Sequence, residues 1–256
     1  MGQRQFGGDS GLVGANSKKT QKRKRTIRSK KSDEPYVFAI TNPVFLDWEH
    51  RIEGAQEMVT KNQGYVEDLS FQHTNFPIQL CDFLFLSNAL GVIDVTELKA
   101  LRITHVLNVG GLSAAYLQEE NYRKEGICYK LVSDAVDEPT YPMLQNHLQE
   151  CNDFIDLARF QQNPPGKCVV HCHAGSNRSG VIVASILMIT SEMNVLETVL
   201  KCRQKRGNAF LTNPGFAAQL VALARQERSL GPPPGSSECV VEDYLWRKMK
   251  GGKDNR

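Results

Sequence analysis

The sequence has no long hydrophobic run and no apolar segment near its start. No stretch approaches the roughly 20 consecutive apolar residues that a membrane-spanning helix needs. Residues 1–34 also lack the apolar core of a secretory signal. We therefore expect no membrane partner and no export, and we predict that the protein acts in the nucleus and/or the cytoplasm.

The cysteines show no paired arrangement either. There are seven of them, an odd number, and their spacing is irregular. A disulfide framework would need an even number at regular spacing, so free thiols in a reducing compartment are expected. Most of these cysteines should act as small buried hydrophobic residues.

Positive charge is scarce outside the first 34 residues. The whole chain has a net charge of +3, but residues 1–34 carry +7, which leaves −4 for the other 222 residues. Nucleic acid is therefore an unlikely partner for the body of the protein. Nine cations lie between residues 18 and 31, a density typical of nuclear import signals and also of solvated tails that no receptor binds.

Composition divides the chain into four parts. Residues 1–34 have few apolar side chains and are predicted to be a disordered basic tail. Residues 35–76 are predicted to be an extension packed on the core, with a strand at 36–40 and a helix at 48–59. Residues 77–228 form the main domain, with regular strand and helix patterns, and residues 229–256 form a Gly/Pro-rich linker and a charged tail.

Residues 77–228 alternate between strand and helix patterns. Short apolar runs at 83–86, 104–109, 127–132 and 167–171 predict buried strands. Helical spacing of apolar residues predicts a long helix over 144–158 and three more after residue 178. This alternation predicts an α/β fold with a central, mostly parallel sheet of four to five strands flanked by helices.

One segment, VVHCHAGSNRSG at 169–180, combines a strand, a tight loop and a helix start. Backbone N–H groups of such a loop point inward, and the helix dipole adds partial positive charge, so the loop suits a dianion. Arg178 can hold two phosphate oxygens with its planar guanidinium. Gly175 allows the sharp curvature that the loop needs.

The same field acts on the Cys172 thiol. A cysteine with a pKa of about 8.5 is only roughly 3% thiolate at pH 7. Lowering that pKa by two to three units needs roughly 3–4 kcal/mol of differential stabilisation, which a ring of amides and one guanidinium can supply. Cys172 is therefore a candidate nucleophile.

The pattern His-Cys-x-x-Gly-x-x-Arg-Ser resembles the signature of the cysteine-based protein phosphatases, and its form here resembles the dual-specificity branch. The likeness extends over roughly residues 78–227. It includes DFLFLS at 82–87, LKALRITHVLN at 98–108, ECNDFID at 150–156 and NPGF at 213–216. The resemblance implies hydrolysis of phosphotyrosine, phosphoserine and phosphothreonine in proteins, without a metal or another cofactor.

The resemblance also implies a role for each matching residue. Cys172 attacks phosphorus, Arg178 stabilises the transition state, and Ser179 supports the departing thiolate. The backbone amides that cradle the phosphate belong to His173, Ala174, Gly175, Ser176, Asn177 and Arg178.

The family places a general acid on the loop after the third of these predicted strands. Asp134 and Asp137 both lie there. Counting back from the helix at 153–156 and forward from Tyr129 favours Asp137, although Ser133-Asp134 resembles the local motif of some relatives. Either aspartate could instead be an ordinary loop or capping residue.

Other interpretations remain open at this level. Cys168, His171, Cys172 and His173 could suggest zinc, but no second ligand pair matches them. An RNA 5′-phosphatase shares the Asn-Arg pair at 177–178. A non-catalytic phosphoprotein-binding module is a further alternative, which would require a missing general acid because Cys172 is present. Lys30-Lys31 followed by Phe38-x-Ile40 loosely resembles a docking motif for MAP kinases. The loop has no lysine, which disfavours phosphoinositides. The oligomeric state is not predicted.

Overall fold

The computed structural model describes residues 26–42, 76–162 and 164–240. Its centre is one five-stranded sheet in the order β1-β2-β5-β3-β4. The strands are β1 (Ile78–Gln79), β2 (Leu84–Ser87), β3 (His105–Asn108), β4 (Cys128–Leu131) and β5 (Cys168–His171). Strands β2, β3, β4 and β5 run parallel to one another. Strand β1 pairs antiparallel with β2. The predicted α/β class with a mostly parallel sheet is confirmed.

Seven α-helices accompany the sheet in the described ranges. They are α1 (Glu34–Thr41), α2 (Val95–Ala100), α3 (Glu119–Lys124), α4 (Met143–Arg159), α5 (Arg178–Thr190), α6 (Val195–Arg206) and α7 (Pro214–Gln226). None of the helices in these ranges is long and apolar enough to cross a membrane.

Alternate strand residues pack on opposite faces of the sheet. Leu84 and Leu86 belong to the larger core, beneath the long helices, whereas Phe85 belongs to a smaller core with Val169. Because both faces of the central strands are covered, β2, β3 and β5 are buried along their whole length, whereas no residue of the edge strand β4 is buried. Helix α5 runs through the larger core and buries ten of its thirteen residues, which explains its continuous apolar sequence.

Local capping residues set several of the helix starts. Asn194 accepts hydrogen bonds from the amides of Leu196 and Glu197. The Glu197 side chain in turn accepts a hydrogen bond from the Asn194 amide. Asn213 caps α7 in the same manner, with Pro214 in the first turn. Such caps stabilise a helix by roughly 0.5–2 kcal/mol each.

The predicted strand at 36–40 is wrong, because this stretch lies within helix α1. Pro35 occupies the first turn of the helix, where its missing N–H costs nothing. The buried residues Tyr36, Ala39 and Ile40 lie three and four positions apart, which is the spacing of one helical face. A short apolar run cannot by itself distinguish a strand from a buried helix. The predicted helix at 48–59 lies outside the described residues.

The predicted tail boundary at residue 34 also needs correction. The carbonyls of Thr26 and Arg28 accept hydrogen bonds from Gln226 and Arg225 of α7. Asp33 is buried and pairs with Arg225. Residues 26–33 are therefore packed on helix α7, and only residues 1–25 of the proposed tail lie outside the described ranges.

Residues 229–240, assigned to a linker and tail, also contact the core. The Tyr36 hydroxyl donates to the Gly231 carbonyl at 3.0 Å. Leu230, Cys239 and Val240 pack against the larger core. The two ends of the described chain thus meet on the face of the body formed by α1, α6 and α7.

Candidate active site

Strand β5 ends at His171, and helix α5 begins at Arg178. Residues 172–178 between them are named the catalytic loop. Since β5 lies between β2 and β3, this loop emerges at the centre of the sheet's carboxyl edge. Gly175 has φ of +64°, and a Cβ there would lie 2.8 Å from the Ser87 carbonyl oxygen. The loop therefore requires glycine for both its backbone conformation and its packing.

Cys172 is the first residue of the catalytic loop, and it is almost fully buried. The Ser179 hydroxyl donates a hydrogen bond to its sulfur at 3.1 Å. That bond places a hydroxyl donor on the sulfur at the start of α5, where the helix dipole adds partial positive charge. Burial raises the pKa of Cys151 and Cys202 to about 12, so those two remain inert thiols.

Arg178 lies across the mouth of the loop. Its Nη1 donates to the Gly110 carbonyl at 2.8 Å, and its Nε lies 3.8 Å from a carboxylate oxygen of Asp137. Within the described ranges, this buried Nε has no hydrogen-bond partner. A buried donor without a partner is costly, and a bound phosphate oxygen would satisfy it.

A second arginine supports the catalytic loop from behind. Arg206, at the end of α6, donates to the carbonyls of Gly175 at 2.9 Å and Ala174 at 3.1 Å, and to the Ser176 hydroxyl at 3.1 Å. Carbonyls turned toward Arg206 leave the loop amides free to face a ligand. Burial lowers the pKa of Arg206, while the negative charge of Cys172 acts in the opposite direction.

Backbone contacts fix the rest of the catalytic loop. Ala89 donates to the His173 carbonyl, and Leu211 donates to the Ser176 carbonyl, both at 3.2 Å. The Asn177 side-chain oxygen accepts from the amides of Thr212 at 2.9 Å and Asn213 at 3.0 Å. Asn177 thereby joins the loop to the segment that opens α7.

Sequence reasoning identified Arg206 only as the end of a helix. Its signal is weak in sequence, because a basic residue in the last turn of a helix is ordinary. Its hydrogen bonds to the catalytic loop distinguish it from the other cations of that turn, because Arg203 there is buried as well.

The structure separates the two candidate acids on residues 132–142, named the acid loop. Asp137 lies beside Arg178 and accepts a hydrogen bond from the Asn213 side chain at 2.9 Å. Asp134 points elsewhere, with its carboxylate 3.8 Å from His147 and its side chain 72% exposed. Of the two, the geometry brings only Asp137 to the catalytic loop.

The acid loop is anchored on α4 and α7. The Tyr141 hydroxyl lies 2.6 Å from His147 Nε2, and the Tyr141 carbonyl accepts from Gln219 at 2.8 Å. Gly215 packs so closely that a Cβ there would lie 1.7 Å from the Pro139 oxygen. These contacts hold the loop along most of its length.

The catalytic-loop residues differ in exposure. Ser176 and Ser179 are buried, and His173 and Ala174 face solvent. The exposed His173 ring lies 3.0 Å from the Tyr116 hydroxyl.

Burial lowers the pKa of His171 to about 4, against a smaller opposing effect of a backbone hydrogen bond at Cys172. His171 is therefore neutral at pH 7. No cluster of metal-ligating side chains occurs in the ranges described.

Comparison with known proteins agrees with this geometry. Residues 84–226 match the family model of the dual specificity phosphatase catalytic domain. Dual specificity protein phosphatase 26 of Homo sapiens is 39% identical over 132 residues, which are 52% of this chain and 59% of that protein. Dual specificity protein phosphatase 19 of Mus musculus is 32% identical over 158 residues, which are 61% of this chain and 65% of that protein. The chain thus spans less than two thirds of the length of either relative.

The crystal structure of human DUSP28 shares the fold, with a TM-score of 0.50 at 20% identity, covering 61% of this chain and 99% of that one. The family model spans more than half of the chain, and its range includes both the catalytic loop and the acid loop. This chain belongs to the dual specificity phosphatase family.

Proposed function

We propose that the protein hydrolyses phosphate monoesters on protein side chains through a cysteinyl-phosphate intermediate on Cys172. The observation that carries this proposal is the Ser179 hydroxyl donating to the Cys172 sulfur at the start of α5. A hydroxyl in that position stabilises a thiolate when it forms and again when it leaves.

In the first step, the Cys172 thiolate attacks phosphorus and the bond from phosphorus to the leaving oxygen breaks. Arg178 and the loop amides hold the three non-bridging oxygens, whose charge they stabilise in the transition state. An alkoxide or phenolate is a poor leaving group, so Asp137 in its protonated form donates a proton to the leaving oxygen.

In the second step, water attacks the phosphorus of the cysteinyl-phosphate. Asp137, now a carboxylate, accepts the proton of that water, and the phosphorus–sulfur bond breaks. The sulfur leaves as a thiolate that accepts the Ser179 hydrogen bond. Inorganic phosphate departs, and the site returns to its starting protonation state.

The two alternative functions, an RNA 5′-phosphatase and a phosphoprotein-binding module, have less support. Asn177, the residue shared with RNA 5′-phosphatases, already has a structural role in holding the start of α7. A pure binding module has no need for an acid, and Asp137 lies beside Arg178. The MAP kinase docking interpretation loses its motif, because Ile40, a residue of helix α1, is fully buried. We therefore propose a phosphoprotein substrate without naming a kinase.

The test begins with a small aryl phosphate. We expect hydrolysis that resists EDTA and is blocked by vanadate or by alkylation of Cys172. Rates on phosphotyrosine and phosphoserine peptides are then compared with those on a 5′-triphosphorylated oligonucleotide. Faster release of phosphate from the oligonucleotide would replace the protein substrate with RNA.

We also propose that the basic segment directs the protein to the nucleus, on the strength of its nine cations between residues 18 and 31. The informative truncation removes residues 1–25, because residues 26–33 contact α7. A fluorescent fusion should move out of the nucleus on this truncation, with aryl phosphatase activity unchanged. A full-length fusion already excluded from the nucleus would refute the idea.

A further inference from the structure

Large apolar side chains are concentrated around the mouth of the candidate site. Eight such side chains are exposed in the described part of the chain. Five of them follow the carboxyl ends of β2, β3 and β4: Leu90, Ile93, Leu112, Tyr116 and Val136. Those strands run parallel to β5, so their carboxyl ends share the edge on which Cys172 lies.

The segment that follows β3 contacts the nucleophile's backbone, and it carries Leu112. The Gly110 carbonyl accepts from Arg178, and a Cβ on Gly110 would lie 2.9 Å from the Cys172 Cα. Leu112 follows two residues later and is 73% exposed. A leucine this exposed adds little to the core, and it belongs to a group of exposed apolar side chains at one edge of the sheet.

Tyr116 and Val136 extend the apolar surface around the mouth. The Tyr116 hydroxyl lies 3.0 Å from the exposed His173 ring of the catalytic loop. Val136 is 43% exposed and directly precedes Asp137. Leu112, Tyr116 and Val136 are named the apolar rim. They lie on two loops that each contact Arg178, one through the Gly110 carbonyl and the other through Asp137.

The charge of the surrounding segments limits the kinds of ligand that the rim can favour. Residues 88–94, 109–118 and 132–142 contain no lysine or arginine, whereas the last contains Asp134, Asp137 and Glu138. A ligand with further phosphates would find no cation on these segments and would meet carboxylates. The rim therefore suits a single phosphate with apolar neighbours.

We propose that the apolar rim selects phosphoprotein segments that have large apolar residues next to the phosphorylated residue. This inference rests on the proposed function and specifies which phosphoprotein segments the enzyme prefers. Apolar side chains of the substrate pack on Leu112, Tyr116 and Val136, and acidic neighbours are repelled by Asp134 and Glu138.

The first experiment compares kcat/KM of the full chain on phosphotyrosine peptides of equal length. They differ only in the residues on either side of the phosphotyrosine, which are leucine, alanine or glutamate. We expect leucine to exceed alanine by roughly tenfold, the size of a modest apolar contact. Glutamate should fall below alanine.

The second experiment uses Leu112→Ser and Val136→Ser. The preference of each variant is its leucine-peptide rate divided by its own alanine-peptide rate, and we expect this ratio to fall several-fold. Leu157→Ser is the matched control, because Leu157 is 65% exposed on α4, near the helix end that precedes β5. Its ratio should equal that of the unmodified chain.

Three outcomes would overturn the proposal: equal rates on the leucine and alanine peptides, an unchanged ratio in both rim variants, or faster hydrolysis of a phosphoinositide in phosphatidylcholine vesicles than of the leucine peptide. The last would mean that the rim binds acyl chains. Failure on a small aryl phosphate would instead refute the proposed function. Peptide affinities for Cys172→Ser would then still test the rim, because binding requires no turnover.

Discussion

The catalytic loop and the acid loop meet over Cys172, yet they depend on different parts of the chain. The catalytic loop joins β5 directly to α5, with Gly175 at a positive φ, and Arg206 of α6 holds two of its carbonyls. The acid loop is held by Asn213 and Gln219, whose partners Asp137 and Tyr141 lie 76 and 78 residues earlier in the chain.

This difference has a consequence for function. A loop joined directly to a strand and a helix has both ends fixed by regular elements, and Arg206 of α6 supports it from behind. A loop fixed by distant side chains depends on the packing of α7, and a small change there can misplace the acid. The catalytic loop should therefore control turnover of every substrate, and the acid loop only of those with poor leaving groups.

The largest effect is expected at the nucleophile. Cys172→Ser should lower kcat by about 10⁴-fold or more on every substrate, because an alcohol is a far weaker nucleophile than a thiolate. Phosphate binding, measured by calorimetry with inorganic phosphate, should survive, since the amides and Arg178 remain. Residual activity above a few per cent would contradict the mechanism.

The next effect concerns the acid. Asp137→Asn should lower kcat by about 10²–10⁴-fold on a phosphoserine peptide. It should have far less effect on an aryl phosphate whose phenol is acidic, because that leaving group needs no proton. Asp134→Asn is the matched control, with little effect on either substrate. A large loss at position 134 alone would assign the acid to Asp134.

A paired substitution tests the comparison of the two loops directly. Arg206→Met should lower kcat/KM by about 10–100-fold on both kinds of substrate, because it releases the loop carbonyls. Asn213→Ser retains a helix-capping residue but loses the donor to Asp137. Its effect, about 3–10-fold, should be confined to the poor leaving group. Equal losses on both substrates for Asn213→Ser would remove the distinction.

The smallest effect is on stability, at the residue before the catalytic loop. Burial lowers the pKa of His171 to about 4, below the value of about 6.5 expected in the unfolded chain. Between these values the unfolded chain binds more protons, so stability is complete above pH 6.5 and falls as the pH drops toward 4. At pH 5 this histidine alone should cost about 2 kcal/mol relative to pH 8.

The measurement is urea denaturation at several pH values between 5 and 8. Replacing the titratable ring in His171→Asn should flatten the dependence of the unfolding free energy on pH. Carboxylates elsewhere in the protein add a background dependence of the unfolding free energy on pH, which both proteins share. An identical slope in the variant would show that His171 does not titrate in this range.

Much of the fold follows from sequence patterns because the relevant interactions are local. The apolar runs that became β2 to β5 were visible as short motifs. Strand β1 was missed because its two residues carry no periodicity. Residues 36–40 were assigned to a strand because five apolar positions fit either period, and only the packing of α1 on α7 selects the helix.

The sequence by itself determined the nucleophile, the phosphate-binding arginine and the loop that carries them. These residues lie within eight positions, so their relative placement depends only on one strand, one turn and one helix. Tertiary structure decided which aspartate faces that loop, which arginine supports it from behind, and where the apolar rim lies. Each of these depends on contacts between residues dozens of positions apart, and such contacts exist only after the sheet and the helices have packed.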